Sequence, residues 1–198
     1  MRTPAGWPAT RILATIHDIA TLERRLADAW PAFVDEPLGA WRLRATGGFT
    51  GRANSALTCD DPGVPLGEAL TKVDEFARTH GIRPTAHVVR GDPIEDDLTE
   101  HGWRVDVDHP GGAEPLVLVA PLDGASPPDA VTIATHPSTS WWRLCADTDP
   151  PDAAQRRALD TGDRVRFGGY IANGALALYD ALGFTEHHRY RYWVPGMP

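Results

Sequence analysis

The residues best equipped for chemistry gather in "HHRYRYW", from His187 to Trp193. Two adjacent imidazoles can hold protons or bind a metal. Neighbours on a strand point to opposite faces, so His187 and His188 cannot readily ligate one ion, and no metal is expected. They read as an edge-strand feature. The same alternation puts Arg189 and Arg191 on one face and Tyr190 and Tyr192 on the other. The tyrosine face reads as core. The arginine face is either solvated or open to a phosphate or an acidic partner. "IEDDLTE" carries paired carboxylates, which suit a solvated helix start. Arg52, Asn54 and Ser55 in "TGRANS" are polar residues on a strand, suited to hydrogen bonding within a hairpin. Cys59 and Cys145 stand far apart, without metal or disulfide spacing, and read as two reduced thiols of a cytoplasmic protein. The sequence contains no G-x-S-x-G, no Walker A loop and no H-E-x-x-H, so a hydrolase triad has no support.

These groups need a scaffold, and the composition can build one. The chain has 198 residues, 42% of them hydrophobic, with seven tryptophans. That suffices for one domain or two small fused ones. A formal net charge of −8 means repulsion on average from nucleic acid and from anionic membrane surfaces. Neither is expected as a partner. The stretch "MRTPAGWPATRILATIHD" lacks the apolar core of a signal peptide. Apolar runs such as "LVLVAPL" are too short to span a bilayer.

The elements follow from periodicity. Residues 17–33 show apolar positions at Ile19, Leu22, Leu26, Ala29, Trp30 and Phe33, a helical spacing closed by Pro37. From Trp41, apolar and polar residues alternate: Trp41, Leu43 and Ala45 against Arg42, Arg44 and Thr46. This predicts a strand, a turn at Gly47 and Gly48, and a second strand to about Cys59. "LGEALTKVDEFARTHG" is the clearest helix, with Leu66, Leu70, Val73 and Phe76 on one face and Gly81 as its stop. A strand in "PTAHVV", a helix in "DPIEDDLTEHGW" and strands in "RVDVDH" and "PLVLVAPL" follow. A linker rich in proline and serine leads to "VTIAT", then to helices in "SWWRLCAD" and "DPPDAAQRRALDTG", and a strand in "RVRFGGYI". "DDLTEHGWRVDVDH" and "ALYDALGFTEHHRY" share one grammar: helix, glycine, aromatic, strand. Leu98 parallels Leu178, Gly102 parallels Gly183, and Trp103 parallels Phe184. The expected organisation is a first unit at 1–122, a linker at 123–137 and a second unit at 138–198, the two units being related.

"ALYDALGF" followed by "TEHHRYRYWVP" resembles the last motif of the GNAT superfamily of N-acetyltransferases. "WRLRATGGFTGRANSAL" and "PLGEALTKVDEFARTHGI" resemble the N-terminal half of tandem actinobacterial GNAT proteins, some labelled N-acetylglutamate synthase-like. The resemblance implies an α/β (α+β) fold: a mixed, twisted sheet flanked by helices, with acetyl-CoA as co-substrate. It implies transfer of an acetyl group to an amine of a small molecule or amino acid. In that scheme a tyrosine on the closing helix protonates the departing thiolate. By motif position that residue is Tyr179. Asn173 lies one residue nearer the tyrosine than the asparagine of the motif, which would contact the coenzyme. Arg52 and Asn54 would line the acceptor side. Tyr179 also reads as a packing residue of an amphipathic helix.

One part of the pattern is missing. The family holds the coenzyme pyrophosphate with Q/R-x-x-G-x-G/A at a helix N-terminus, where free N–H groups and the helix dipole attract an anion. "RATGGF", from Arg44, puts Phe49 where glycine or alanine is needed and leads into a strand. "RVRFGG", from Arg164, has the wrong spacing. Where further strands, the loop and its helix should follow "RVRFGGYI", "GGYIAN" runs directly into "GALALYDALG". About 50 residues would be needed there. The C-terminal unit is therefore expected to be truncated, by evolutionary decay or by an incomplete chain. The alternative to an enzyme is an inactive GNAT-derived binding or regulatory module, with an exposed sheet edge open to pairing with another copy.

Overall fold

The computed structural model describes residues 18–120, 132–146, 150–159, 167–169, 179 and 183–196. Element order is α1 (Ile19–Ala29), β1 (Val34–Leu38), β2 (Trp41–Ala45), β3 (Ala56–Leu57), α2 (Leu66–Thr79), β4 (Ala86–Val89), α3 (Ile94–Glu100), β5 (Trp103–Val105) and β6 (Leu116–Val119). Then come β7 (Thr132–Ala134), α4 (Thr139–Ala146), α5 (Ala153–Leu159), β8 (Phe167–Gly169) and β9 (Thr185–Pro195). The linker region 121–131 lies outside the described residues.

Seven strands form one sheet in the order β1-β2-β3-β4-β9-β5, with β6 also on β9. β3 and β4 run parallel, as the intervening α2 requires, and the other pairs are antiparallel. This is a mixed α/β sheet flanked by helices. Trp193 pairs with Ala86 of β4 and with Val105 of β5, so β9 is an interior strand. The strand that the sequence assigns to the second unit is thus hydrogen-bonded into the sheet built from residues 34–119. β7 and β8 form a separate two-stranded ribbon.

Side-chain alternation loads both faces. Trp41, Leu43, Ala56, Ala86, Val88 and Trp193 meet Leu70, Val73 and Phe76 of α2 in the main core. The α2 helix sits where its apolar stripe predicts, with Leu70, Val73 and Phe76 buried. On the reverse face, Leu57, Cys59, Val117, Tyr190 and Tyr192 pack under Leu22, Leu26 and Ala27 of α1. Arg44 and Thr46, polar in the strand pattern, are consequently buried at 2% and 0% exposure. The sequence reading misses β1 altogether. The predicted second hairpin strand is only Ala56–Leu57, and residues 46–55 form a long loop.

The outer edge belongs to β1, "VDEPL", whose Asp35, Glu36 and Pro37 are exposed. Acidic side chains and a proline discourage pairing with another strand. β1 turns into β2 through Gly39 and Ala40, and this turn is pinned to the next loop. Ala40 N donates to Asp61 O at 2.8 Å, and Trp41 Nε1 donates to Asp60 O at 2.8 Å. Gly39 has φ +57°, and a Cβ there would run into the Pro62 backbone. Gly39→Ala should therefore cost about 2 kcal/mol, from left-handed strain plus overpacking. Urea unfolding of the variant measures it.

Candidate functional site

α1 begins at Asp18, whose carboxylate accepts from Thr21 N at 2.9 Å. The face that packs Leu22, Leu26 and Ala27 on the sheet also carries Glu23, 1% exposed. Its Oε1 lies 2.7 Å from His188 Nε2 on β9, and its Oε2 lies 3.0 Å from His87 Nε2 on β4. The His87 contact is poorly aligned, so that nitrogen lacks a directed hydrogen bond. His188 Nδ1 is 2.8 Å from His187 Nδ1. His87 stacks on Tyr190 at 4.0 Å between centroids, and Tyr192 stands edge-on to it at 5.6 Å. One carboxylate thus ties a helix to two neighbouring strands.

Burial works against the charge of Glu23, but the hydrogen bond from His188 and the close approach of His87, with the positive charge of Arg52, outweigh it. The carboxyl is held well below its usual range. Burial pulls His87 below the ordinary imidazole value, opposed by Glu23, so this ring is neutral near pH 7. Among the described residues no group of three His, Cys, Asp or Glu side chains is arranged to hold a metal. The Glu23 oxygens are occupied by imidazole nitrogens. Cys59, also beneath α1, has its thiol pushed up to about 12 by burial and by Glu23, and is no nucleophile there.

The loop between β2 and β3 is organised by Asn54. Its Oδ1 accepts from Thr46 N at 2.7 Å and from Gly48 N at 3.0 Å, while Nδ2 donates to Phe49 O and Thr50 O at 2.7 and 2.6 Å. Its amide is engaged wholly within the loop, and its effect is to place Arg52. The Arg52 carbonyl accepts from Arg44 and, at 3.2 Å, from Ser55 Oγ. The Arg52 guanidinium lies 4.8 Å from the Tyr190 ring centroid. It faces a cleft of 280 Å³ between α1 and β6, lined also by Leu26, Ala29, Trp30 and Leu116–Leu118.

Tyr179 stands apart from this cluster in the chain's local geometry. Its carbonyl accepts from Phe184 N at 2.9 Å, across Gly183 at φ +78°. The left-handed glycine and the bond five residues back make a helix terminus, with the rings of Tyr179 and Phe184 in contact at 5.4 Å. Gly102, its counterpart after α3, also has φ +78°. Tyr179 is 40% exposed. Asn173 lies outside the described residues, as does the rest of the closing helix.

The described helix starts do not form a pyrophosphate cradle. At the starts of α1, α3, α4 and α5, backbone N–H groups already donate to Asp18, Asp92, Ser138 and Asp152. α2 has no side-chain cap, but the loop before it carries Asp60, paired with Arg24, and Asp61, bonded to Gly63 N. Two carboxylates repel a phosphate. The arginine face of β9 is likewise engaged internally: Arg191 pairs with Glu95 and Glu114, and Arg189 with Glu186.

Glu23 and His87 escape the motif-based reading, although a signal exists. Glu23 falls within the apolar helical stripe between Ile19 and Leu26, and His87 sits amid "TAHVV". Neither residue shows its partner until α1 is laid across the sheet.

A mixed sheet with a parallel β3–β4 pair, a helix between them and an antiparallel closing strand fits a GNAT-like fold. The comparisons with known proteins agree. The family described as "Probable histone acetyltransferase Rv0428c C-terminal" matches residues 16–177, and the chain belongs to that family. A Bacillus subtilis (strain 168) protein described as the uncharacterized N-acetyltransferase YobR is 34% identical over 91 residues, 45% of this chain and 36% of that protein. The probable histone acetyltransferase Rv0428c of Mycobacterium tuberculosis (strain ATCC 25618 / H37Rv) is 29% identical over 171 residues, 85% of this chain and 51% of that protein. The chain thus spans about half the length, or less, of these curated relatives. No solved structure matches the chain. Among the described residues no helix is long and apolar enough to cross a membrane.

Proposed function

We propose that the chain is an acetyl-CoA-dependent N-acetyltransferase acting on the amine of a small molecule or amino acid. Family membership supports the general activity. The single structural observation that supports the assignment of roles is Tyr179, 40% exposed at the turn closed by Gly183. Acetyl-CoA supplies an activated thioester. Tyr179 holds, on its hydroxyl, the proton that a departing thiolate needs near neutral pH. The Gly183 turn fixes the backbone that carries it. Arg52 lies on the acceptor side, and Asn54 holds the loop that presents it.

Isothermal titration with acetyl-CoA tests the reading, followed by thiol release in the presence of an amine panel. Heat on titration and amine-dependent thiol release are expected. Tyr179→Phe should slow release about 100-fold, the lower end of what general acid catalysis contributes, with coenzyme affinity unchanged. No heat at millimolar acetyl-CoA would overturn the reading and favour a non-catalytic binding module.

A further inference from the structure

We infer that the cleft between α1 and β6 binds a small carboxylate with an apolar body, held through the Arg52 guanidinium. The inference deepens the acetyltransferase reading by naming the acceptor class, and it rests on that reading only for the ligand's role. Three observations carry it. Arg52 lines the cleft, and among the described residues it has no carboxylate within ion-pair distance; it rests on Tyr190 and feels Glu23 only at longer range. Six other arginines around the sheet do find carboxylates: Arg24, Arg42, Arg83, Arg90, Arg189 and Arg191 are ion-paired, while Arg44, fully buried in β2, is turned to the Arg52 carbonyl and not to the cleft. A half-buried guanidinium without an anion is a planar fork shaped for a carboxylate.

Second, Trp30 lines the same cleft, and its indole N–H is buried without an acceptor. An indole N–H without an acceptor, beside a guanidinium without an ion pair, favours a ligand rich in acceptors. Third, the remaining walls are aliphatic: Leu26, Ala29 and Leu116–Leu118. The volume of 280 Å³ is that of about nine waters at ~30 Å³ each, the size of a small amino-acid derivative. Glu23, bound by His188 and His87, leaves its charge committed to those rings, so it does not neutralise Arg52 by direct pairing.

Titration of the full chain with N-acetyl-L-leucine and with N-acetyl-L-leucinamide, in the absence of coenzyme, tests this. The acid should bind about tenfold more tightly than the amide, the worth of one charge-assisted hydrogen bond. Arg52→Met should erase that preference, and Arg52→Lys should retain part of it. Leu118→Trp, which fills the cleft but keeps the guanidinium, should weaken both ligands. It also serves if Arg52→Met does not fold. Equal binding of acid and amide, no binding of either, or an undiminished preference in Arg52→Met would overturn the inference. None of these titrations contains acetyl-CoA. Failure of the chain to bind coenzyme would sink the acetyltransferase reading while leaving this result standing.

Discussion

Glu23→Ala should lower the free energy of unfolding by about 3–4 kcal/mol, from a buried hydrogen bond left unmade and the void that truncation opens. The carboxylate is 1% exposed and lies against His188 and His87 at 2.7 and 3.0 Å. Its loss leaves His188 without its acceptor, strips His87 of its polar neighbour and opens a void beneath α1. Glu23→Gln keeps the shape and one acceptor oxygen, so its cost should be smaller, about 1–3 kcal/mol. Chemical denaturation at pH 7 gives both values, and equal stabilities of all three proteins would refute the account.

The same group predicts a pH profile with a definite sign. Glu23 titrates at a lower pH in the folded chain than in the unfolded chain, whose ordinary value is 4.5. The unfolded state therefore binds the proton first, and stability present above that value is lost as the pH falls below it. His87 is depressed from 6.5 by burial, so again the unfolded chain protonates first and stability declines below about 6.5. Both effects act in one direction. Wild-type stability should decline from pH 6.5 downward and steepen below 4.5. In Glu23→Gln the steeper part should be diminished. A thermal-melt series from pH 8 down to about 3 checks this, and a flat wild-type profile would count against it.

Trp41→Ala should cost a similar amount, about 3–5 kcal/mol, for a different reason. Trp41 is fully buried in the main core against α2, and its Nε1 anchors the Asp60 carbonyl at 2.8 Å. Truncation removes a large apolar body and frees the loop before α2. Trp41→Phe keeps most of the packing and loses the hydrogen bond, so a cost of about 1–2 kcal/mol is expected. Guanidinium unfolding followed by circular dichroism separates the two. If Phe proved as damaging as Ala, the loop anchor would outweigh the packing.

Much of the α2 face of the sheet is legible in the sequence. Leu66, Leu70, Val73 and Phe76 recur at helical spacing, and Gly81 ends the run. Trp41, Leu43 and Ala45 alternate against it. The other face is misread. Arg42, Arg44 and Thr46 alternate like a solvated strand face, yet α1 covers it, and Arg44 is buried with its pKa lowered to about 10 by burial, opposed by Asp35. No local pattern announces a long-range covering. β1 is hidden because "VDEPL" neither alternates nor favours a strand; its conformation comes from pairing with β2 through the tight turn at Gly39 and Ala40. For the site, position in a motif singles out Tyr179 as the proposed proton donor, and the structure shows that residue exposed at a helix end. The engagement of Asn54 within its own loop, and the union of Glu23 with His87 and His188, depend on contacts between segments far apart in sequence.

The interior position of β9 bears on how the chain assembles. Val89 of β4 and Thr185 of β9 are separated by 96 positions. During synthesis, β4, β5 and β6 emerge long before the strand that satisfies them. Until it arrives, their backbone groups face water or any neighbouring chain, the condition under which nascent sheets aggregate. Closing so long a loop is entropically slow, and the reward comes only when the final strand docks. A ribosome carrying this chain holds an open sheet over the 96 positions that separate β4 from β9, so early chaperone engagement would protect its yield more than added native stability would.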